Sequence, residues 1–556
     1  MTSIKIINKY TVQCSKPEWS SEDRFLASCL DIKEVEGNHI VDVRIVSKRA
    51  LTYYLKTVFP AIMTSMTSVT YRNALFVQFK AIYAGVHDEF MRDYYPKAGY
   101  KESVKMDMYA HQINTMVECI HRKNNLLGLE MGLGKTLTAA TLSKITGARR
   151  TVIIAPAGVK WNWFFDLTRN WGYNPLYWTV LDARKSKTMK AFKERFVVLN
   201  FEQVKKNMNY LLSDEINHII IDEVHALKNP NSGRSKAMNE LLERSGYPRL
   251  TMLSGTPVTN RINDMFNYLK MSKHPLGRNF KAFKDKYTIQ ASVRGGKIIG
   301  AQNIPDLKGK ISNLFIRLKS EDCLDLPEMI IKNYYLERDD ISNEYEEELQ
   351  NLRDKKVKYD TLHGVEKQKM NTQIKGNIHT LNRIVATSKV PKIKELIDRF
   401  IENGEKVVVF AGYKAPLEML EGIYGDASVR IDGSVDSHKR QTLIDKFRDS
   451  DPCKVFLGNY VAAGVGINLV NARHVIMVNM PFVPAEIEQA QKRLHRSGQK
   501  STVHVYYAIA TETIDDHIYS IVHDKSEDIN ELIDGDHKSV INYGNITNEL
   551  FKKLLE

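Results

Sequence analysis

The chain has 556 residues, 43% of them hydrophobic and 26% charged, with 80 Lys and Arg against 66 Asp and Glu for a formal net charge of +14. This composition excludes a disordered or collagen-like polymer, and the length suffices for roughly three or four domains, each with its own core. The basic excess favours a polyanionic partner. The longest apolar stretches, 151–159 and 406–412, are strand-length and well short of the ~20 residues that cross a bilayer, so no membrane partner is expected. The start, MTSIKIINKY, has no apolar segment after a basic one, which predicts a soluble intracellular protein, in a prokaryotic cytoplasm or a nucleus. Five widely separated cysteines without a Cys-x-x-Cys pair argue against a disulfide framework or a zinc site.

In chain order, residues 1–100 carry short alternating runs (4–12, 39–46, 74–84) around a helical stretch at 47–65, which predicts a small N-terminal α+β accessory domain. Its many aromatics, Tyr53, Tyr54, Phe59, Phe79 and Phe90 among them, are expected to fill a core rather than stack on bases. Over 101–272 apolar strands at 151–155, 196–200, 218–221 and 249–253 alternate with helical stretches, the signature of a parallel sheet with crossover helices. The same alternation returns over 386–535, with strands at 406–410, 428–431, 453–458, 474–478 and 502–508. Between these α/β lobes, 273–385 shows no comparable strand set and reads as a basic half followed by an acidic helical run, 337–350. Residues 536–556 form a C-terminal tail.

The first chemical motif is EMGLGKT at 130–136, between an apolar run and a helical one. A glycine turn opening a helix aims backbone N–H groups at phosphates, Lys135 can reach the outer phosphates, and the Thr136 hydroxyl can ligate Mg2+. At the end of the apolar run 219–221, Asp222 and Glu223 lie at the carboxyl edge of the sheet, one able to hold Mg2+ and the other to orient water. In the second lobe QAQKRLHRSGQ at 489–499 spaces Gln489, Arg493 and Arg496 at i, i+4 and i+7, one face of an expected helix. Arginines from a facing lobe can stabilise charge on a γ-phosphate, which predicts hydrolysis gated by lobe closure.

The ordered set resembles the SWI/SNF-type ATPases of helicase superfamily two. It runs from Tyr109-Ala-His-Gln112 and EMGLGKT through APAGVKWNW at 155–163, DEVHALKN at 222–229 and LSGTPVTN at 253–260. It continues with VVVFAGY at 407–413, IDGS at 431–434 with Arg440, AAGVGINLVNA at 462–472, the 489–499 segment and Thr513-Ile-Asp515. Compact spacing and the segment 322–327 are nearest the annealing-helicase (HARP-like) branch. Departures are Leu129 before Glu-Met-Gly, Leu318 before Lys319, and Phe482 where Trp is usual.

The resemblance implies two tandem RecA-like parallel-sheet lobes with helical insertions, and a monomeric ATP- and Mg2+-dependent motor that moves on duplex or branched DNA of any sequence. Repair, fork or branch processing and strand annealing are the expected settings, with strand separation and the displacement of DNA-bound proteins as alternatives. It assigns Lys135, Asp222, Glu223, Arg493 and Arg496 to catalysis, and Thr136 and Asp222 to the metal. Gln112 would read adenine, while Met131, Gly132, Leu133, Gly134, Gly466 and Gln489 line the nucleotide. Ser254, Gly255 and Thr256 would couple hydrolysis to movement. DNA contacts are expected at Pro156, Lys160, Trp163, Asn260, Lys281, Lys284, Arg317, Gly412 and Gly464. Residues 270–320 hold twelve Lys and Arg against Asp285 and Asp306, which locates the basic excess just after the first lobe.

Overall fold

The computed structural model describes residues 3–60, 69–98, 108–181, 195–258, 261–290, 298–435, 437–460 and 467–522. These form two compact units that divide between Cys323 and Leu324. The tail 536–556 lies outside the described residues, as do Asn260, Gly464 and Gly466.

The first unit opens with strands β1 (Ser3–Asn8), β2 (Thr11–Ser15), β3 (Lys33–Val35) and β4 (Asn38–Asp42), an antiparallel sheet ordered β1-β2-β4-β3. The expected strand at 74–84 is instead part of the helix Val69–Glu89. Phe79, Tyr83, Val86 and Phe90 follow one another at helical spacing, and the last two are buried, so the period of 3.6 prevails over a locally alternating look. Tyr54, Phe59 and Phe90 are core residues.

The larger sheet of this unit has seven strands: β5 (Asn124–Leu129), β6 (Thr151–Ile154), β7 (Trp178–Val180), β8 (Phe196–Leu199), β9 (His218–Ile221), β10 (Arg249–Leu253) and, after a small hairpin of β11 (Thr288–Gln290) and β12 (Ile298–Ala301), β13 (Phe315–Leu318). Their order is β13-β5-β10-β9-β6-β8-β7, every pairing parallel. Buried on both faces, β6, β8 and β9 read as unbroken apolar runs, which is why they were legible from sequence.

The second unit holds six parallel strands, β14 (Met329–Leu336), β15 (Val407–Ala411), β16 (Ser428–Ile431), β17 (Val455–Asn459), β18 (His474–Met477) and β19 (Val503–Ala510), ordered β14-β19-β18-β15-β17-β16. Along β15 alternate side chains enter different cores, Val408 and Phe410 on one face, Val407 and Val409 on the other. The acidic run holds a short 3-10 turn at Arg338–Asp340 and becomes α-helical only from Glu344, the first residue of Glu344–Thr361.

Residues 273–385 therefore do not lie outside the sheets. β13 is an edge of the first sheet and β14 an edge of the second, the latter paired residue for residue from Met329–Val503 to Leu336–Ala510. Both are edge strands with one half-exposed face, so their sequences (FIRL, MIIKNYYL) mix polar with apolar residues and show no buried run.

Candidate nucleotide site and its supports

The carboxyl ends of four neighbouring strands, β5, β10, β9 and β6, carry in turn the glycine loop, Ser254–Gly255–Thr256, Asp222–Glu223 and Pro156. Parallel pairing puts all four ends at one sheet edge, where open α/β folds bind ligands. The loop leaves β5 and enters the helix Lys135–Ile145 through Gly134 at φ +73°, with Gly132 at φ +89°, conformations that L side chains avoid. A Cβ at Gly134 would also meet the Gln112 amide nitrogen at 2.0 Å. Gln112 and His111 both reach the Leu133 carbonyl, Nε2 to oxygen 3.3 and 3.1 Å, so the first turn of the helix Ala110–Cys119 holds the loop from behind. The Lys135 ammonium donates to the Leu129 and Glu130 carbonyls at 2.9 and 3.3 Å. Thr136 follows it in the first helical turn, half-buried, whereas Met131 and Leu133 are buried.

Asp222 and Glu223 are both buried. Asp222 accepts the Trp163 indole N–H at 2.8 Å and the Glu223 backbone N–H at 3.0 Å. Burial and the neighbouring Glu223 carboxylate push the Asp222 carboxyl up to about 6, opposed by the Trp163 bond and the Lys135 charge. Glu223 sits at φ +48°, a left-handed conformation at the strand end that turns its side chain toward His225, Nδ1 to Oε2 3.2 Å. His225 Nδ1 also lies 3.4 Å from Ser254 Oγ, which in turn accepts the Thr256 N–H at 3.2 Å. A polar chain thus runs from Glu223 to the 254–256 turn. A Cβ at Gly255 would stand 3.5 Å from the Lys135 ammonium.

Two crowded, buried carboxylates favour a cation, and Asp222 with the Thr136 hydroxyl suits Mg2+, which keeps few protein ligands and completes its octahedron with phosphate oxygens and water. No group of three or more His, Cys, Asp or Glu side chains among the described residues could form an all-protein metal cage.

Three expected DNA contacts stand elsewhere. Trp163 is buried against Asp222; the Lys160 ammonium, also buried, donates to the Leu181 carbonyl at 2.7 Å. Arg317 lies beside the glycine loop, donating to the Gly128 and Gly255 carbonyls at 3.1 and 3.0 Å and standing 3.7 Å from Glu130. Glu130 in turn accepts the Ser320 N–H at 2.9 Å. A basic residue in a basic segment looks like a phosphate contact, but register with β5 draws this one inward. Pro156 is half-buried after β6; Lys281 is exposed and Lys284 half-buried on the helix Phe280–Tyr287.

In the second unit the helix carrying Gln489 ends at Gln491, so Arg493 and Arg496 stand in the turns beyond it and the shared helical face is corrected. Arg493 is buried, and Arg496 Nη1 donates to the Ile467 carbonyl at 3.2 Å. Gly498, at φ +99°, lets the chain reverse after Arg496, and Gln499 anchors the turn. The Gln499 amide donates to the Val470, Ala472 and Leu494 carbonyls at 3.3, 3.0 and 3.2 Å and accepts the Lys500 and Ser501 N–H groups. Gly412 N–H donates to Asn479 Oδ1 at 2.9 Å on an exposed strand end. His225, Glu130 and Gln499 were present in the sequence motifs without a role; only their partners show one.

A family model described as the SNF2-related domain matches residues 109–391, and one for the helicase conserved C-terminal domain matches residues 388–498. The SWI/SNF-related matrix-associated actin-dependent regulator of chromatin subfamily A-like protein 1 homolog of Caenorhabditis elegans is 26% identical over 446 residues, covering 76% of this chain and 62% of that protein. The DNA annealing helicase and endonuclease ZRANB3 of Homo sapiens is 26% identical over 425 residues, 73% of this chain and 38% of that one. The chain thus spans less than two thirds of these relatives' lengths, 62% of one and 38% of the other. A solved structure, the Sulfolobus solfataricus SWI2/SNF2 ATPase core in complex with dsDNA, is 23% identical at a TM-score of 0.37, covering 77% of this chain and 93% of that one. Among the described residues no helix is long and apolar enough to cross a membrane.

Proposed function

This chain belongs to the SNF2-related family, and from that premise we propose that it is a DNA-dependent ATPase that couples ATP hydrolysis to movement along duplex DNA, in repair, fork or branched-DNA processing or strand annealing. The observation that carries the reading is the gathering of the 130–136 loop, Ser254–Thr256 and Asp222–Glu223 at one edge of a parallel sheet. In this reading Lys135 exchanges its carbonyl partners for phosphate oxygens, and the backbone N–H groups that open its helix hold the rest of the phosphate chain. Mg2+, held by Thr136 and Asp222, would neutralise phosphate charge. Glu223 takes the proton of the attacking water, and the His225–Ser254 chain reports its state to the 254–256 turn. Arg493 and Arg496 serve the transition-state charge, and Gln499 keeps their turn in shape.

ATPase rates with single-stranded, duplex, forked and four-way-junction DNA test it. Duplex stimulation well above single-stranded is expected; no response to any DNA refutes the motor. Robust fork unwinding without annealing would favour the strand-separating alternative. Stimulation by a DNA-bound protein beyond that of bare duplex would favour displacement of proteins.

A further inference from the structure

Residues 1–98 precede both matched domains, yet their described part belongs to the same compact unit as the first sheet. The joint is made of buried polar contacts. Ser47 N–H donates to Asn313 Oδ1 at 2.9 Å, and the Asn313 amide donates to Asp31 at 2.7 Å. Arg122 donates to the Ile45 and Asn313 carbonyls at 3.0 and 3.1 Å, and His274 Nε2 lies 3.1 and 3.2 Å from the Cys29 and Lys310 carbonyls. Broken singly, each such contact leaves a buried polar group without its partner, so the joint holds as a set.

This joint lays the helix Lys48–Val58 on the helix Ile304–Lys310. A Cβ at Gly309 would come within 2.1 Å of the Tyr53 ring. Arg49 and Lys56 lie at i−4 and i+3 from Tyr53 and so flank that contact. The helix buries Ala50, Leu51, Tyr54, Leu55 and Val58, exposes Lys48, Arg49 and Lys56, and contains no carboxylate. Among the described residues neither Arg49 nor Lys56 forms an ion pair with a carboxylate. Across the contact, Asp306 is shared by Lys286 at 3.3 Å, Lys310 at 2.9 Å and the Tyr287 hydroxyl at 2.7 Å, so that spot keeps a positive excess. Together the helices Lys48–Val58, Phe280–Tyr287 and Ile304–Lys310 carry eight Lys and Arg against Asp285 and Asp306, a net of +6.

We propose that the helix Lys48–Val58 extends the basic segment into one continuous surface for the phosphate backbone of duplex nucleic acid, with Arg49 and Lys56 as its phosphate-contacting side chains. This rests on the duplex-motor reading. The apolar stripe of the helix is already buried against its own unit, which leaves nothing to insert into a bilayer. Paired long cations on a helix without carboxylates suit a regularly charged polymer and any base sequence. The accessory module then lengthens the track contact rather than reading a DNA structure of its own.

The test is equilibrium binding of the full chain to a fluorescent blunt duplex of arbitrary sequence across a salt series. Neutralising two phosphate contacts in R49Q/K56Q should flatten the slope of log K against log salt by about 1.8, with an unchanged thermal midpoint because both side chains are exposed. K205Q/K206Q, exposed on another helix of the same unit, should leave the slope near that of the parent. An unchanged slope in R49Q/K56Q overturns the proposal, and so does an equal flattening in K205Q/K206Q, which would reduce the effect to net charge. Loss of binding to a polyglutamate peptide with the duplex slope intact also overturns it, in favour of an acidic protein. If the parent chain neither binds duplex nor is stimulated by it, the motor reading itself fails.

Discussion

The two parallel sheets spend their carboxyl edges differently. In the first unit the edge is anionic and self-contained: Asp222, Glu223, His225, Ser254 and Thr256 bond to one another, with Lys135 and Gly255 against them. In the second unit Arg496 hangs on backbone instead, its guanidinium on the Ile467 carbonyl within a turn that Gln499 pins by its amide. One lobe holds its candidate catalytic groups by side-chain networks around a strained strand end, the other by the shape of a loop. The first arrangement presets geometry before ligand arrives; the second leaves Arg496 with a backbone partner that is easily exchanged.

Substitutions can break or sharpen this contrast. The largest expected effect is at the first edge. Lys135→Ala should lower ATP hydrolysis by at least about 10³-fold, and full DNA-stimulated turnover in that variant would sink the assignment. Glu223→Gln should retain ATP binding, read by a fluorescent nucleotide, while turnover falls by about 10²–10⁴-fold. Arg496→Ala should lose about 10³-fold in rate with nucleotide affinity kept; a large loss of affinity would instead make it a ground-state ligand.

A smaller effect separates the two readings of Trp163. Trp163→Phe keeps the buried ring but removes the bond to Asp222, so kcat should fall about tenfold, the worth of one hydrogen bond to a charged group. If instead duplex affinity dropped at constant kcat, the indole would belong to the track.

The smallest effect concerns the joint of the N-terminal module. Burial holds the His274 imidazole down at about 4, and its Nδ1 accepts the Leu276 N–H at 3.3 Å, so protonation would oppose a donor to a donor. The folded value lies below the unfolded one, so the neutral ring's contribution is complete above pH 6.5 and is lost as pH falls toward 4. At pH 6 the loss is about 1 kcal/mol. The drop in thermal midpoint between pH 7.5 and 6 should therefore be smaller in His274→Gln than in the parent; equal drops would remove His274 from the account.

What the sequence determined by itself was periodic or local. Fully buried strands such as His218–Ile221 announce themselves as apolar runs, and a phosphate loop needs its glycines and Lys135 adjacent in the chain. Edge strands β13 and β14, half-exposed and mixed in composition, did not, and neither did the helix end at Gln491, which depends on what the turn beyond it can bond. Tertiary structure alone decided which basic residues face solvent. Arg317 and Lys160 read like DNA contacts and are drawn inward by carbonyls brought near from Gly128, Gly255 and Leu181, while Arg49 and Lys56, far away in sequence, are set beside the basic segment. Charge is a property of composition; whether a charge is left for a partner depends on the acceptors that folding places around it.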